Sequence, residues 1–474
     1  MPATLLDTFQ RLLRSPAFKF FLIGFLGLLL GIPLLFVMEL TAQRDAQSRG
    51  VASEIALHWG QQQHLAGPFL VVPYTVKIYT LTGDKRVEEV VTRRAIFLPE
   101  KLDIEGRAGT QVLSRSIYDV TVYTSDLTLQ GRFERPDMRE VASEIVTVRW
   151  DEASFALGIA DVAGIKEAGV LRLSSGDEVA LEPSIGADAL AMSGVHASLR
   201  ASKVLTPAAA VVSGSPATGI EPFDFEISLK LSGSSGLQFA PAARTTTVKL
   251  ASDWPHPSFY GSFLPVDRKV DAAGFTASWT VPHLARSVPQ SMSVGAGESG
   301  PNVLFSYLFG VSFQTPVDFY SLVVRALKYG MMFIAVAFMT VFLMELLAGK
   351  RVHPVQYLFT GVALIFFFVL LLSFAEHIGF APAYALASLV TAGQLGLYVG
   401  SVLESKRRGL WMCGLLLFIF GLLYLILQLE DYALLAGAVA GFLMLSAVMF
   451  LTLRVDWSGG GLKQDAGTGA ATTG

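Results

Sequence analysis

The sequence predicts an α+β membrane protein: six transmembrane helices plus a large, mostly antiparallel β periplasmic domain inserted between helices 1 and 2. Three observations predict it. One long apolar stretch lies near the start and five crowd the region after residue 325, Lys and Arg border those stretches mainly on one side, and the intervening segment alternates apolar and polar residues with a period of two.

The spans follow from length. Phe18 to Leu40, Tyr329 to Ala348, Val355 to Phe374, Phe380 to Leu403, Leu410 to Leu429 and Tyr432 to Leu453 are mainly apolar. Each is close to the 20 or so residues that cross about 30 Å of hydrocarbon as a helix. With no water to satisfy backbone groups, a single segment crosses only as a helix. Arg11, Arg14 and Lys19 precede the first span; Lys350 and Arg351, then Lys406, Arg407 and Arg408, fill alternate short loops, and Arg454 follows the last. The opposite short loops hold Glu376 with His377 and Glu430 with Asp431, without Lys or Arg. The positive-inside rule therefore places both termini in the cytoplasm. The first stretch is longer than a signal-peptide core and ends in Val37-Met38-Glu39-Leu40-Thr41-Ala42-Gln43, so an uncleaved anchor is expected. Gly31 and Pro33 predict a kink in it.

The expected organisation is a cytoplasmic N-terminus (1–17), helix 1 (18–40), a periplasmic β-rich domain (41–325), a five-helix bundle (326–454) and a disordered cytoplasmic tail (455–474). Overall, 52% of residues are hydrophobic and 16% charged, with mean hydropathy +0.51, as expected for a membrane part joined to an ordinary globular part. A net charge of -3 gives no reason to expect a nucleic-acid partner. The sole cysteine, Cys413, falls in the fifth span, so the exported domain must rely on core packing rather than disulfides.

Phe223 to Leu231 places five apolar side chains on one face and four polar ones on the other, the pattern of a half-buried strand. Similar runs occur at Phe69 to Thr80, Val87 to Leu98, Val120 to Phe133, Thr245 to Ala251 and Gly274 to Val281. Thr82-Gly83-Asp84 and Ser232-Gly233-Ser234-Ser235-Gly236 are expected to turn hairpins. A sandwich or one large curved sheet is predicted, with 184–220 as a flexible excursion or a seam. Residues 43–58 are expected to extend the first helix. Thr315-Pro316-Val317-Asp318 reads as the start of a helix running through Arg325 and Lys328 straight into the second span.

Candidate sites are few. Trp254-Pro255-His256-Pro257-Ser258 is either a rigid recognition loop with His256 as its polar contact or a stiff corner packing aromatics on the core. Glu376-His377 is either a proton-linked switch or half a metal site, or else an ordinary polar loop, since two adjacent residues are not a set of metal ligands. His58 and His64 have no metal-ligand spacing. Among polar residues in the spans, Glu345, Glu404 and Gln428 fall toward ends within reach of water. Gln394 is left as the deep one, with helix-to-helix hydrogen bonding as its default role. H-E-x-x-H, P-loop and G-x-S-x-G motifs are absent; Gly233-Ser234-Ser235-Gly236 matches G-x-S-G by chance in a soluble turn. No catalytic residue, metal or cofactor is assigned.

Several strings together resemble the CreD family of bacterial inner-membrane proteins. They are Ser252-Asp253-Trp254-Pro255-His256-Pro257-Ser258-Phe259 with Phe263-Leu264-Pro265, His353-Pro354-Val355-Gln356-Tyr357-Leu358, and Ser373-Phe374-Ala375-Glu376-His377-Ile378-Gly379-Phe380. Gly67-Pro68 and Arg454-Val455-Asp456-Trp457 add to the resemblance. It implies a non-enzymatic role in cell-envelope integrity and envelope stress, within a two-component regulon linked to β-lactam response, and it carries over no catalytic residues. The expected partners are membrane lipids and a periplasmic or envelope component. A transporter or lipid-handling protein, with its site at the junction of bundle and β domain, and a cell-wall or lipid hydrolase are the alternatives.

Overall fold

A computed structural model describes residues 16–82, 85–167, 169–185, 192–206, 219–295, 301–313, 319–348, 350, 352–429, 432–452, 455–456 and 461–462. The chain divides into two compact units, Gly50–Pro316 and Met1–Arg49 with Val317–Gly474.

Among its described residues, Gly50–Pro316 holds two large sheets. The eight-stranded sheet runs in the order Asp267–Asp271, Gly274–Pro282, Thr245–Ser252, Lys101–Arg115, Tyr118–Phe133, Phe223–Ser234, Val170–Leu173, Glu178–Ala180. The ten-stranded sheet is built around the long strand Gln63–Thr82, which pairs with Lys85–Phe97, Ile145–Val148, Ser154–Ile159 and Gly236–Phe239. Pairing is antiparallel except for Gln63–Thr82 with Gly236–Phe239 and Lys101–Arg115 with Thr245–Ser252. Phe223 to Leu231 alternates as the sequence predicts, its apolar residues buried and the residues between them at least partly exposed.

One core joins the two sheets face to face. Leu70, Val72 and Tyr74 from the ten-stranded sheet pack with Ile104, Leu127, Leu129 and Ile227 from the eight-stranded one. Phe155 reaches across to Phe133 and Phe225, with ring centroids 6.0 and 5.2 Å away. The sandwich expectation holds in this sense, with an added layer: Phe69 and Val71, on the opposite face of the same strand, pack with Ile96, Ala156 and Leu304 in a second cluster. A strand buried on both faces accounts for its nearly unbroken apolar run.

One expectation fails here and another is narrowed. Thr82 pairs with Lys85 as a hairpin requires, its tip residues 83–84 lying outside the described residues, but Ser232 to Gly236 turns no hairpin. Phe223–Ser234 belongs to the eight-stranded sheet and Gly236–Phe239 to the ten-stranded one, so the chain changes sheets at Ser235, in a left-handed conformation (φ 65°). Tyr123 sits where a Cβ on Gly233 would stand and donates its hydroxyl to the Gly236 carbonyl at 2.8 Å, so the glycines there make room for a corner. The region 184–220 is also not simply an excursion, because Gly194–Ser198 pairs along Ser154–Ile159. Residues 186–191 and 207–218 lie outside the described ones.

The other unit is helical: α1 (Pro16–Leu29), α2 (Gly31–Trp59, whose part from Gly50 onward belongs to the first unit), α3 (Phe319–Lys328), α4 (Gly330–Ala348), α5 (Pro354–Ile378), α6 (Phe380–Val402), α7 (Lys406–Gln428) and α8 (Ala433–Thr452). The regular helix is interrupted for one residue at Leu30, beside the predicted kink, where Pro33 has no N–H for the carbonyl of Leu29, though the Leu30 and Leu34 N–H groups still donate to the Leu26 and Leu30 carbonyls. As expected, α2 carries the first helix on through residues 43–58. The helix start proposed at Thr315 to Asp318 lies outside the described residues. Its run into the second span is interrupted at Tyr329, whose N–H bonds Ala326 three residues back rather than continuing the α pattern. Beside that break Gly330 lacks a Cβ where Leu34 of α2 approaches, 2.9 Å from where one would lie.

Five helices among the described residues are long and apolar enough to cross a bilayer: Phe18–Trp59, Gly330–Ala348, Pro354–Ile378, Phe380–Val402 and Lys406–Gln428. They pack through aromatics and glycines. Phe367 stacks on Phe420 at 4.4 Å, and Gly400 and Gly409 bring α6 and α7 together closely enough that a Cβ on Gly409 would stand 2.9 Å from the Gly400 Cα.

Candidate functional site

Trp254 to Pro257 forms a second corner between the sheets, joining Thr245–Ser252 of the eight-stranded sheet to Ser258–Gly261 of the ten-stranded one. Its prolines fix an extended backbone, and its polar groups hold the corner. The Asp253 carboxylate accepts from the Thr110 N–H at 2.9 Å and hydroxyl at 2.8 Å, and the Trp254 backbone N–H donates to the Ser252 hydroxyl at 3.2 Å. The Trp254 indole donates to the His256 carbonyl at 2.8 Å and is buried in the main core. His256 is exposed, its ring edge-on to Trp254 at 6.4 Å; Ser258 is exposed in a strand pairing with Ser312. Phe259 packs on Phe275 and Trp279, at 5.5 and 5.8 Å. The corner thus anchors its aromatics inward and presents the imidazole outward.

Glu376 and His377 are divided by the helix they end. Successive residues on a helix point about 100° apart; the Glu376 side chain is 9% exposed, whereas His377 is exposed. The Tyr320 hydroxyl donates to Glu376 at 3.3 Å and the Arg44 guanidinium lies 3.9 Å from the same oxygen. The carboxylate's charge is therefore met by a cation from α2 and a phenol from α3, rather than by its neighbouring imidazole.

At the opposite end of α5 stands an arrangement of the same kind that the sequence did not disclose. Glu345, expected to reach water, is buried; Lys19 of α1 forms an ion pair with it, and the Tyr357 hydroxyl donates to its second oxygen at 2.8 Å. The Lys19 ammonium also donates to the Val352 carbonyl at 2.6 Å. From Tyr357 to Glu376 the helix rises about 28 Å at 1.5 Å per residue, close to the hydrocarbon thickness of about 30 Å. Each end of the bundle thus carries one enclosed carboxylate, one cation from the first helix and one tyrosine. The signal available in the sequence was Tyr357, four residues after the His353-Pro354 start of α5; Lys19 read only as an inner-leaflet charge. His353 itself caps α5, its ring accepting from the Val355 N–H at 3.3 Å while its own N–H donates to Gln356 at 2.9 Å.

The other polar span residues separate. Glu404 is exposed and paired with Lys350, which holds its carboxyl below the usual range, and Gln428 is exposed. Gln394 makes none of the helix-to-helix hydrogen bonds expected of it among the described residues; its side chain faces outward. His58 is exposed, while His64 is half-buried edge-on to Phe305 at 5.2 Å, and burial lowers its pKa. No group of three or more His, Cys, Asp or Glu among the described residues is placed to hold a metal ion.

Comparison with known proteins gives two matches. A family model described as "Inner membrane protein CreD" matches residues 15–458. The Inner membrane protein CreD of Escherichia coli (strain K12) is 31% identical over 450 residues, covering 94% of this chain and 95% of that protein.

Proposed function

Since this chain belongs to the CreD family of inner membrane proteins, we propose that it serves cell-envelope integrity without chemistry of its own, its β unit recognising or bracing an envelope component. In this reading α8 completes six spans, both termini lie in the cytoplasm, and residues 41–325 lie in the periplasm, as the Lys and Arg of the short loops favour. The observation that carries the non-enzymatic reading is the commitment of the polar groups at the candidate sites. Asp253 is held by Thr110, the Trp254 indole by the His256 carbonyl, and Glu376 by Tyr320 and Arg44. Groups so engaged build a rigid body, and the exposed face of the His256 corner is then a contact surface.

The test is complementation under envelope stress by His256→Ala, Glu376→Gln and His377→Ala, with protein levels matched. A binding role predicts graded loss at His256 and little at His377; complete loss from one conservative change at normal protein level would refute it. Reporter fusions near Phe225 test the topology separately, and a cytoplasmic signal there would overturn the placement of the β unit.

A further inference from the structure

The outward face of α6 carries two polar side chains that no described residue satisfies. Gln394 stands about 12 Å of helix rise from Val402 and about 21 Å from Phe380 at 1.5 Å per residue, well inside a spanning helix. Tyr398 follows one turn later on the same side, and both line a cavity of about 520 Å³ on the bundle with Phe359, Val362, Phe366 and Leu370. Neither the Gln394 amide nor the Tyr398 hydroxyl has a hydrogen-bond partner among the described residues. The exposed residues around them recur at helical spacing: Leu386, Val390, Gln394, Leu397 and Ser401 form one stripe along α6.

An amide facing lipid with no partner is strongly unfavourable, because hydrocarbon returns none of the hydrogen bonds that water gave. Polar side chains in spans are accordingly found joining helix to helix. The geometry points to a second copy of this chain as the partner, docked through the α6 stripe. A glutamine amide both donates and accepts, so it is complementary to itself. Two copies inserted in the same direction and related by a twofold axis along the membrane normal bring Gln394 opposite Gln394 at one depth. Leu386, Val390 and Leu397 then meet their counterparts, and Phe359 and Phe366 of α5 flank the seam.

The test uses the full chain in native membranes with Cys413→Ala as background. Gln394→Cys and, independently, Leu397→Cys should give under mild oxidation a reducible band at twice the 51.1 kDa chain mass, whereas Phe418→Cys, exposed on α7 rather than on the α6 stripe, should stay monomeric. Gln394→Leu should weaken self-association on the order of tenfold, read as the dilution at which Leu397→Cys cross-linking halves, the scale of one interhelical polar contact. Monomer at both Gln394→Cys and Leu397→Cys, equal cross-linking at Phe418→Cys, or a product whose mass is not twice the chain's would each overturn the proposal. Should Gln394→Cys fail to accumulate, Leu397→Cys carries the same test.

Discussion

Removing Lys19 should cost the bundle more than removing Lys19 and Glu345 together. The Glu345 side chain is 7% exposed and that of Lys19 21%, so Lys19→Met strands a carboxylate where water reaches it poorly. Breaking one side of such a pair costs about 3–5 kcal/mol. The Tyr357 hydroxyl still donates to Glu345 in the variant, which places the loss at the lower end, about 3 kcal/mol. In Lys19→Met with Glu345→Gln no charge is left to strand, and the glutamine carbonyl still accepts from Tyr357. The double variant should lose only about 1 kcal/mol, the scale of ordinary hydrogen bonds exchanged for packing. Unfolding of the full chain in mixed micelles, over a series of denaturing-detergent fractions, measures all members of the cycle. A loss below about 1 kcal/mol for Lys19→Met alone, or a double variant equal to the sum of the singles, would refute the claim that an enclosed charge pair ties α1 to α4 and α5.

Three further outcomes are expected. Gly409→Ala puts a methyl 2.9 Å from the Gly400 Cα and against the Gly396 carbonyl, so it should destabilise by about 1–3 kcal/mol; Gly414→Ala, with nothing within 4 Å, should not, and unfolding temperatures of the two compare them directly. Gln63→Leu removes a fully buried amide that donates to the Asp161 carbonyl at 2.9 Å and the Ser232 carbonyl at 3.1 Å, and should cost about 1–3 kcal/mol in a denaturant series. His64 has its pKa lowered by burial, so the unfolded chain binds the proton first: its contribution is fully present above the unfolded value of about 6.5 and is lost as pH falls below that toward the lowered folded value. The fall in unfolding temperature from pH 7.5 to 5.5 should shrink in His64→Gln, and an unchanged fall would contradict that reading.

What was legible in the sequence had a strong period or a distinctive composition. Phe223 to Leu231 announced itself because large apolar residues alternate with charged ones, and the spans did so by length. Lys101–Arg115 was missed although it alternates too: its inward positions include Gly106 and Ala108, too small to register as apolar. Gly106 is small because Leu127 and Leu250 fill the space, 2.6 and 3.0 Å from where its Cβ would lie. A strand can thus be central to a sheet while its neighbours supply the hydrophobic bulk. The Ser232 to Gly236 corner was misread for a related reason, since glycine and serine mark any sharp change of direction and only pairing partners distinguish a hairpin from a change of sheet.

The site residues divide along the same line. Trp254 to Pro257 and Glu376 stood out by local composition, but the partners that define their environment, Thr110 and Arg44, are distant in sequence and are brought up by strand register and helix packing. Lys19 and Glu345 show the limit most clearly. Each sits near a helix end, where sequence reasoning assigns a charge to water, and each instead meets the other because α1 packs beside α4. A charge near the end of a span reports topology when it reaches solvent and reports packing when a neighbouring helix covers it. Here the same lysine carries both kinds of information, and only the cycle of Lys19 and Glu345 variants separates the energy of the second from the orientation implied by the first.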